Sequence, residues 1–234
     1  MKKSAYIQAA IATLLLGSGL TSCGLKVVNK NDGITKAYKI STDFDTIETL
    51  ACTDVEYTVG PTKIILTAPK EYVDKIVVKV ENGKLIVTRT EDDNMNGNDY
   101  SVLKVSHPAV SAFLTYGTGD IEISESNVKD LMLGTFGTGD IKCQTIKCTT
   151  LTSKSYGTGD IELGRVNCTT ANFNTAGTGD IECKNIFADF ISANSSGTGD
   201  VELKGECRDA TTNASGTGDI INKQLKITGT ETRQ

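Results

Sequence analysis

Gly137-Thr138-Gly139-Asp140-Ile141-Lys142-Cys143-Gln144-Thr145-Ile146-Lys147-Cys148-Thr149-Thr150-Leu151-Thr152-Ser153-Lys154-Ser155-Tyr156 is one period of a repeat. Its opening motif, Gly-Thr-Gly-Asp followed by Ile or Val, begins at Gly117, Gly137, Gly157, Gly177, Gly197 and Gly216. The intervals are 20, 20, 20, 20 and 19 residues. A fixed period of this size marks a solenoid, in which each repeat buries its apolar face only by stacking on its neighbours.

Counting from the first Gly, position five holds Ile121, Ile141, Ile161, Ile181, Val201 and Ile220. Position seven holds Ile123, Cys143, Leu163, Cys183 and Leu203. Further apolar columns fall at positions ten and twelve, and again at fifteen and seventeen. Paired columns two apart are a strand period. Three pairs per repeat predict three short strands and three corners per turn, hence an all-β parallel β-helix with the paired columns inward. The 19-residue interval fits if one residue is missing between Leu203 and Cys207, which brings Cys207 into the position-twelve column of Cys148 and Cys168. Gly-Thr-Gly-Asp is then a corner. Glycine is expected there for positive φ or close approach of coils, and Asp for accepting a backbone N–H. Coils ~4.8 Å apart would build a rod of roughly 29 Å from six turns.

The chain has 234 residues with 23 Gly, 3 Pro and no Trp. It carries no long amphipathic helical pattern in its mature part. The N-terminus reads as a leader: Lys2 and Lys3 are basic, Ala9–Leu20 is a short apolar run, and Leu20-Thr21-Ser22-Cys23 resembles a bacterial lipobox. Cleavage before Cys23 and acylation of its sulfur are expected, giving a membrane anchor without a spanning segment. Gly24 follows, where an Asp would favour retention at the inner membrane, so the outer membrane is the expected location. Loss of residues 1–22 removes two lysines and no acids, taking the net charge from −5 to −7. An acidic, unclustered balance argues against nucleic acid as a partner.

Residues 23–36 read as the lipidated Cys and a polar tether, and residues 37–234 as one domain, regular from 117 onward. Before the repeats lie short alternating segments, with Asn82-Gly83 predicting a hairpin between two of them. Ala51-Cys52-Thr53-Asp54-Val55 is a faded copy of the repeat motif, and Asn98-Asp99-Tyr100, with Asp99 21 residues before Asp120, is a weaker one.

Phe44-Asp45-Thr46-Ile47, Thr53-Asp54-Val55, Ala68-Pro69 with Val73-Asp74-Lys75-Ile76, Asn82-Gly83-Lys84-Leu85 and the Gly-x-Gly-Asp-Ile series together resemble the head GIN domain family of putative auto-transporter adhesins. The resemblance covers most of the mature chain. It implies a β-helix-like arrangement of stacked strands and an adhesive role. No C-terminal membrane barrel follows the last coil before Gln234, so the lipid on Cys23 is the expected anchor.

Six further cysteines occur, five of them in inward columns, where they read as small buried hydrophobes. Cys148 and Cys168 are stacked neighbours within disulfide range, but side chains of a ladder project in parallel, which favours free thiols. The Asp120, Asp140, Asp160, Asp180, Asp200, Asp219 column could suggest calcium. One acid per coil falls short of the six to eight oxygens calcium takes, and a turn-capping role is the simpler expectation. Neither a metal nor a cofactor is expected. The Thr118 column reads as a hydroxyl ladder for turn backbone, and Glu122, Glu162, Glu182 and Glu202 as outward, solvated and mutually repelling.

Tyr116, Phe136 and Tyr156 precede three successive corners. They form either a platform for sugar faces or a protein, or a stack that covers the corner. His107 is the single histidine, no nucleophile elbow occurs, and the even spacing leaves no inserted loops to wall a cleft, so no catalytic residue is expected. The expected function is a lipid-anchored envelope protein that binds a glycan or protein. A periplasm-facing structural or sensory lipoprotein is the alternative, with a carbohydrate-active enzyme behind both. The uncapped last coil predicts weak self-association.

Overall fold

The computed structural model describes residues 20–26 by their backbone and residues 33–90 and 101–234 in full. Leader residues 1–19 and the Asp99 echo lie outside them. The described strands are β1 (Leu20–Lys26), β2 (Gly33–Ile40), β3 (Thr46–Thr49), β4 (Asp54–Val59), β5 (Lys63–Pro69), β6 (Ile76–Glu81), β7 (Lys84–Arg89), β8 (Val102–His107) and β9 (Ala112–Thr115). The regular coils follow as β10 (Ile121–Asn127), β11 (Asp130–Thr135), β12 (Ile141–Lys147), β13 (Thr150–Ser155), β14 (Ile161–Thr175), β15 (Ile181–Ser195), β16 (Val201–Ala214), β17 (Ile220–Ile227) and β18 (Glu231–Arg233). There is no helix among the described residues, and so none long and apolar enough to cross a membrane.

The architecture is a β-solenoid of about six stacked turns. One parallel row runs β8–β4–β10–β12–β14–β15–β16–β17, with Ile121, Ile141, Ile161, Ile181, Val201 and Ile220 in register. A second runs β7–β3–β9–β11–β13–β14–β15–β16–β18. Strands β14 to β16 are long enough to serve both rows, because no break separates their two halves.

The inward columns alternate with outward residues, as the strand period requires. Ile121, Ile141, Ile161, Ile181 and Val201 are fully buried. Phe173 sits between Ser153 and Ala193 in the register, so small neighbours make room for the ring. The missing residue of the fifth coil falls where expected. The register jumps between Cys183 and Ile186, Gly205 takes the place opposite Ile186, and Cys207 stands beside Ala188. Gly205 has φ 132°, and a Cβ there would overlap the Ile186 carbonyl oxygen. Only glycine accommodates both demands.

The early segment departs from a simple preceding series of coils. β3 and β4 slot between the later strands β7 and β8 on one side and β9 and β10 on the other. Asp54 therefore lies directly below Asp120. Beyond β8 the pairing turns antiparallel through β5, β2 and β1, and β6 pairs antiparallel with β7. This part caps the solenoid. The β6–β7 turn is the two-residue hairpin that Asn-Gly demands, with φ 52° at Asn82 and 76° at Gly83. Residues 33–36, expected as tether, belong to β2 because the outer edge of β5 offers them a ladder, pairing Lys36 with Leu66. At the opposite end, the outer edges of β17 and β18 meet no other strand among the described residues.

Candidate functional site

The column of corners is built from three interlocking devices, the third of them at alternate corners. The first is close stacking: a Cβ on Gly137 would overlap the Gly117 carbonyl oxygen, and one on Gly157 that of Gly137. None of these corner glycines has positive φ, so the coil beneath, and not the turn itself, requires them. The second is a carboxylate ladder. The Asp140 N–H donates to Asp120 Oδ1 at 2.8 Å, Asp160 to Asp140 at 2.8 Å and Asp200 to Asp180 at 2.7 Å. Asp54 extends it into the early segment by accepting from the Asp120 N–H at 3.0 Å. The Asp column is thus occupied in capping the next coil's backbone.

The third device is a buried hydroxyl ladder one strand earlier. Thr135 Oγ1 and Ser155 Oγ both donate to the Gly159 carbonyl, at 2.9 and 3.0 Å, and Thr175 and Ser195 treat Gly199 alike at 3.0 and 2.8 Å. This work was expected of the Thr118 column. Those threonines stand exposed instead, with Thr198 Oγ1 reaching the Gly177 carbonyl at 3.5 Å. The turn carbonyls point inward, so inward hydroxyls satisfy them.

The aromatic row is assembled as the spacing implied. Tyr116 and Phe136 stack with centroids 4.8 Å apart and planes 11° apart, and Tyr156 meets Phe136 edge-on at 5.8 Å and 89°. Tyr116 and Tyr156 are 46% and 47% exposed. Phe136 is half-buried, its ring lying across Gly134 beside Leu114. The row therefore covers an apolar patch with its middle member and presents rings to solvent with its outer two. The Lys154 ammonium sits 6.0 Å from the Tyr156 centroid.

Two further exposed rings, Phe187 and Phe190, escaped the sequence reading, and the Arg208 guanidinium lies 4.2 Å over Phe190. The period did contain the signal. Both occupy outward positions of their coil, where an aromatic residue is out of place.

The first parallel row carries an outward ion ladder. Lys142 and Lys184 reach Glu162 at 3.2 and 3.3 Å, and Lys204 reaches Glu182 and Glu202 at 3.5 and 2.9 Å. Glu162, Glu182 and Glu202 are outward, as expected, but paired through lysines from their own and adjacent coils instead of simply repelling. Burial pushes the Glu162 carboxyl up, but hydrogen bonds from Lys142 and Lys184 outweigh it and hold the group below its ordinary pKa. Along this ladder, past Glu56 and Glu122, runs an open groove with Gly164 in its lining.

The six cysteines other than Cys23 are free thiols. Burial pushes Cys143 and Cys183 up to about 12, which keeps them protonated. Cys148 and Cys168 hydrogen-bond to each other. Accepting that bond lowers Cys148, and donating it, with burial, raises Cys168. His107 is buried and held on both ring nitrogens, by the Ala109 carbonyl at 2.8 Å and Asp43 Oδ1 at 2.9 Å. Phe44 packs on the same imidazole at 4.2 Å. It ties the cap together and faces no cleft. Cys23 lies within β1, whose side chains are outside the described residues.

Solved structures share this fold. A protein described as a putative adhesin from Bacteroides fragilis NCTC 9343 is 23% identical, with a TM-score of 0.67 over 90% of this chain and 100% of that one. A second putative adhesin, from Parabacteroides merdae ATCC 43184, is 13% identical, with a TM-score of 0.64 over 88% and 98%. A putative lipid binding protein from Parabacteroides distasonis ATCC 8503 is 19% identical, with a TM-score of 0.57 over 88% and 98%. No curated protein matches the chain. The model of one family, described as putative auto-transporter adhesin, head GIN domain, matches residues 43–225, and with that span the chain belongs to the head GIN domain family.

Proposed function

We propose that the protein is a non-enzymatic, lipid-anchored binding module of the outer membrane, acting as an adhesin that contacts a glycan or a protein. The observation that carries this reading is the Tyr116–Phe136–Tyr156 row. Exposed rings cost solvation unless they meet a ligand, and here they are stacked in fixed orientation on a rigid, in-register scaffold. The membership in an adhesin family points the same way, and the structural neighbours are described as adhesins or a lipid-binding protein, not as enzymes. The groove over Gly164 is open and lined by paired charges, unlike a water-excluding catalytic pocket. Anchoring by acyl chains on Cys23 follows from the lipobox and the leader before it. The unpaired edge of β17 and β18 supports weak self-association, tempered by the exposed Lys223, Lys226 and Arg233 along it.

Protease shaving and antibody labelling of intact cells expressing the full chain test the location. Accessibility is the expected outcome. Protection until the outer membrane is opened would overturn adhesion and favour the periplasm-facing structural reading. Metabolic labelling with a fatty acid should mark the wild type and leave Cys23→Ala unmarked.

A further inference from the structure

The two rows of strands present outward faces of different chemistry. On the first, lysines and glutamates alternate through the ladder around Glu162. On the second, one outward column contains Asn172, Ser192 and Thr211 and the next Asn174, Asn194 and Asn213, all half-buried and uncharged. Asn194 Nδ2 donates to Asn174 Oδ1 at 3.2 Å and approaches Ser192 Oγ at 3.4 Å. The amides are thereby oriented along the stack, and each retains donor or acceptor capacity. The charge that enters these columns over residues 152–213 is Lys154, at the border, over the Tyr156 ring. The exposed rings of Tyr156 and Phe190 flank the face.

We infer that this second face, with the Asn174–Asn194–Asn213 column at its centre and Tyr156 at its border, is a binding site for a neutral polysaccharide. Amides and hydroxyls match sugar hydroxyls in donor and acceptor number without needing charge. Aromatic faces accept the C–H face of a pyranose. The two columns carry no formal charge beyond Lys154, and the Arg208 guanidinium over the flanking Phe190 is paired with Asp209, so an anionic polymer gains little there that a neutral chain would not. The coil spacing of ~4.8 Å repeats the same groups along the stack, so a polymer of like sugars meets the same contact several times. The inference rests on the reading of the protein as a binding module and assigns the face and ligand class within it.

Affinity electrophoresis of the purified protein in gels containing dextran, xylan, laminarin or mannan, with polygalacturonate as the anionic comparison, tests it. Retardation by at least one neutral polymer is expected, unchanged when salt rises from about 0.05 to about 0.5 M. Asn174→Ala with Asn194→Ala, and separately Tyr156→Ala, should weaken it about tenfold, an effect of roughly 1.4 kcal/mol. Glu162→Gln on the opposite face should leave it unchanged. Circular dichroism melts confirm that each variant is folded. Absence of retardation by all four neutral polymers, preference for polygalacturonate that fades with salt, or equal loss in Glu162→Gln would each overturn the assignment. A protein accessible on cells yet retarded by none of them refutes the ligand class while leaving the envelope-adhesin reading standing.

Discussion

The corner at residues 137–140 and the corner at residues 51–54 occupy equivalent places two layers apart, yet one is Gly-Thr-Gly-Asp and the other Ala-Cys-Thr-Asp. Both lead into parallel strands in one row, and both end in an Asp whose Oδ1 caps the coil above. Since Ala51 and Thr53 carry side chains, the corner conformation itself admits a Cβ. The regular coils need glycine because each corner lies against the carbonyls of the one below: a Cβ on Gly117 would overlap the Ala51 oxygen, and one on Gly119 that of Thr53. The glycines record stacking, not turning. Asp54 shows the same shift of context. Its own N–H goes to the Ser101 carbonyl at 3.0 Å, where the regular aspartates use a carboxylate.

Substitution should break this comparison most sharply at the glycines. Gly157→Ala forces coils apart against the Gly137 carbonyl, and a loss of about 3 kcal/mol or more is expected in urea denaturation, within the range of overpacking with backbone shift. Ala51→Gly, at the equivalent place, should cost no more than about 1 kcal/mol, mostly through unfolded-state entropy. Equal losses would show that the turn, not the stack, sets the requirement.

A smaller effect separates the two kinds of aspartate. Asp140→Ala leaves the Asp160 N–H without its acceptor and should cost about 1–2 kcal/mol. Asp54 behaves differently with pH. Burial raises its carboxyl above the ordinary value, and the hydrogen bond from Asp120 only partly opposes this. The folded state therefore binds that proton more tightly than the unfolded chain. This contribution lowers stability as pH rises from the ordinary carboxylate value through the raised one. Asp54→Asn, keeping an acceptor oxygen, should gain relative to wild type above that window and lose the advantage below it. Glu162 carries the opposite sign: its lowered pKa makes its ion pairs stabilising above the ordinary value, and they fade as pH falls through the depressed one. Melting curves of Asp54→Asn and Glu162→Gln across pH 3–7 (roughly the carboxylate range) should diverge in these directions. Parallel curves would refute the distinction.

Much of the regular half was legible because it repeats. Ile141 predicts Ile161 above it by period alone, and the gap between Leu203 and Cys207 was readable because Cys207 falls back into its column. The aromatic row was legible for the same reason. The ion ladder was not. It depends on Lys184 and Lys204 reaching glutamates across coils, and a column of like residues suggests only repulsion. The hydroxyl ladder was assigned to Thr118 and its equivalents, when the inward residues Thr135, Ser155 and Thr175 perform it, because corner geometry decides which way the carbonyls face.

By itself the sequence determined the period, the inward columns, the corner motif and the family, all of them local patterns that each coil restates. Only the tertiary structure decided that residues 46–59 lie between strands formed 38 to 66 residues later, and that β2, β5 and β6 turn antiparallel to close the end. The reason is physical. A repeat carries its pairing partner in its own period, whereas Asp54 and Asp120, 66 residues apart, meet because unpaired strand edges find their ladders in space.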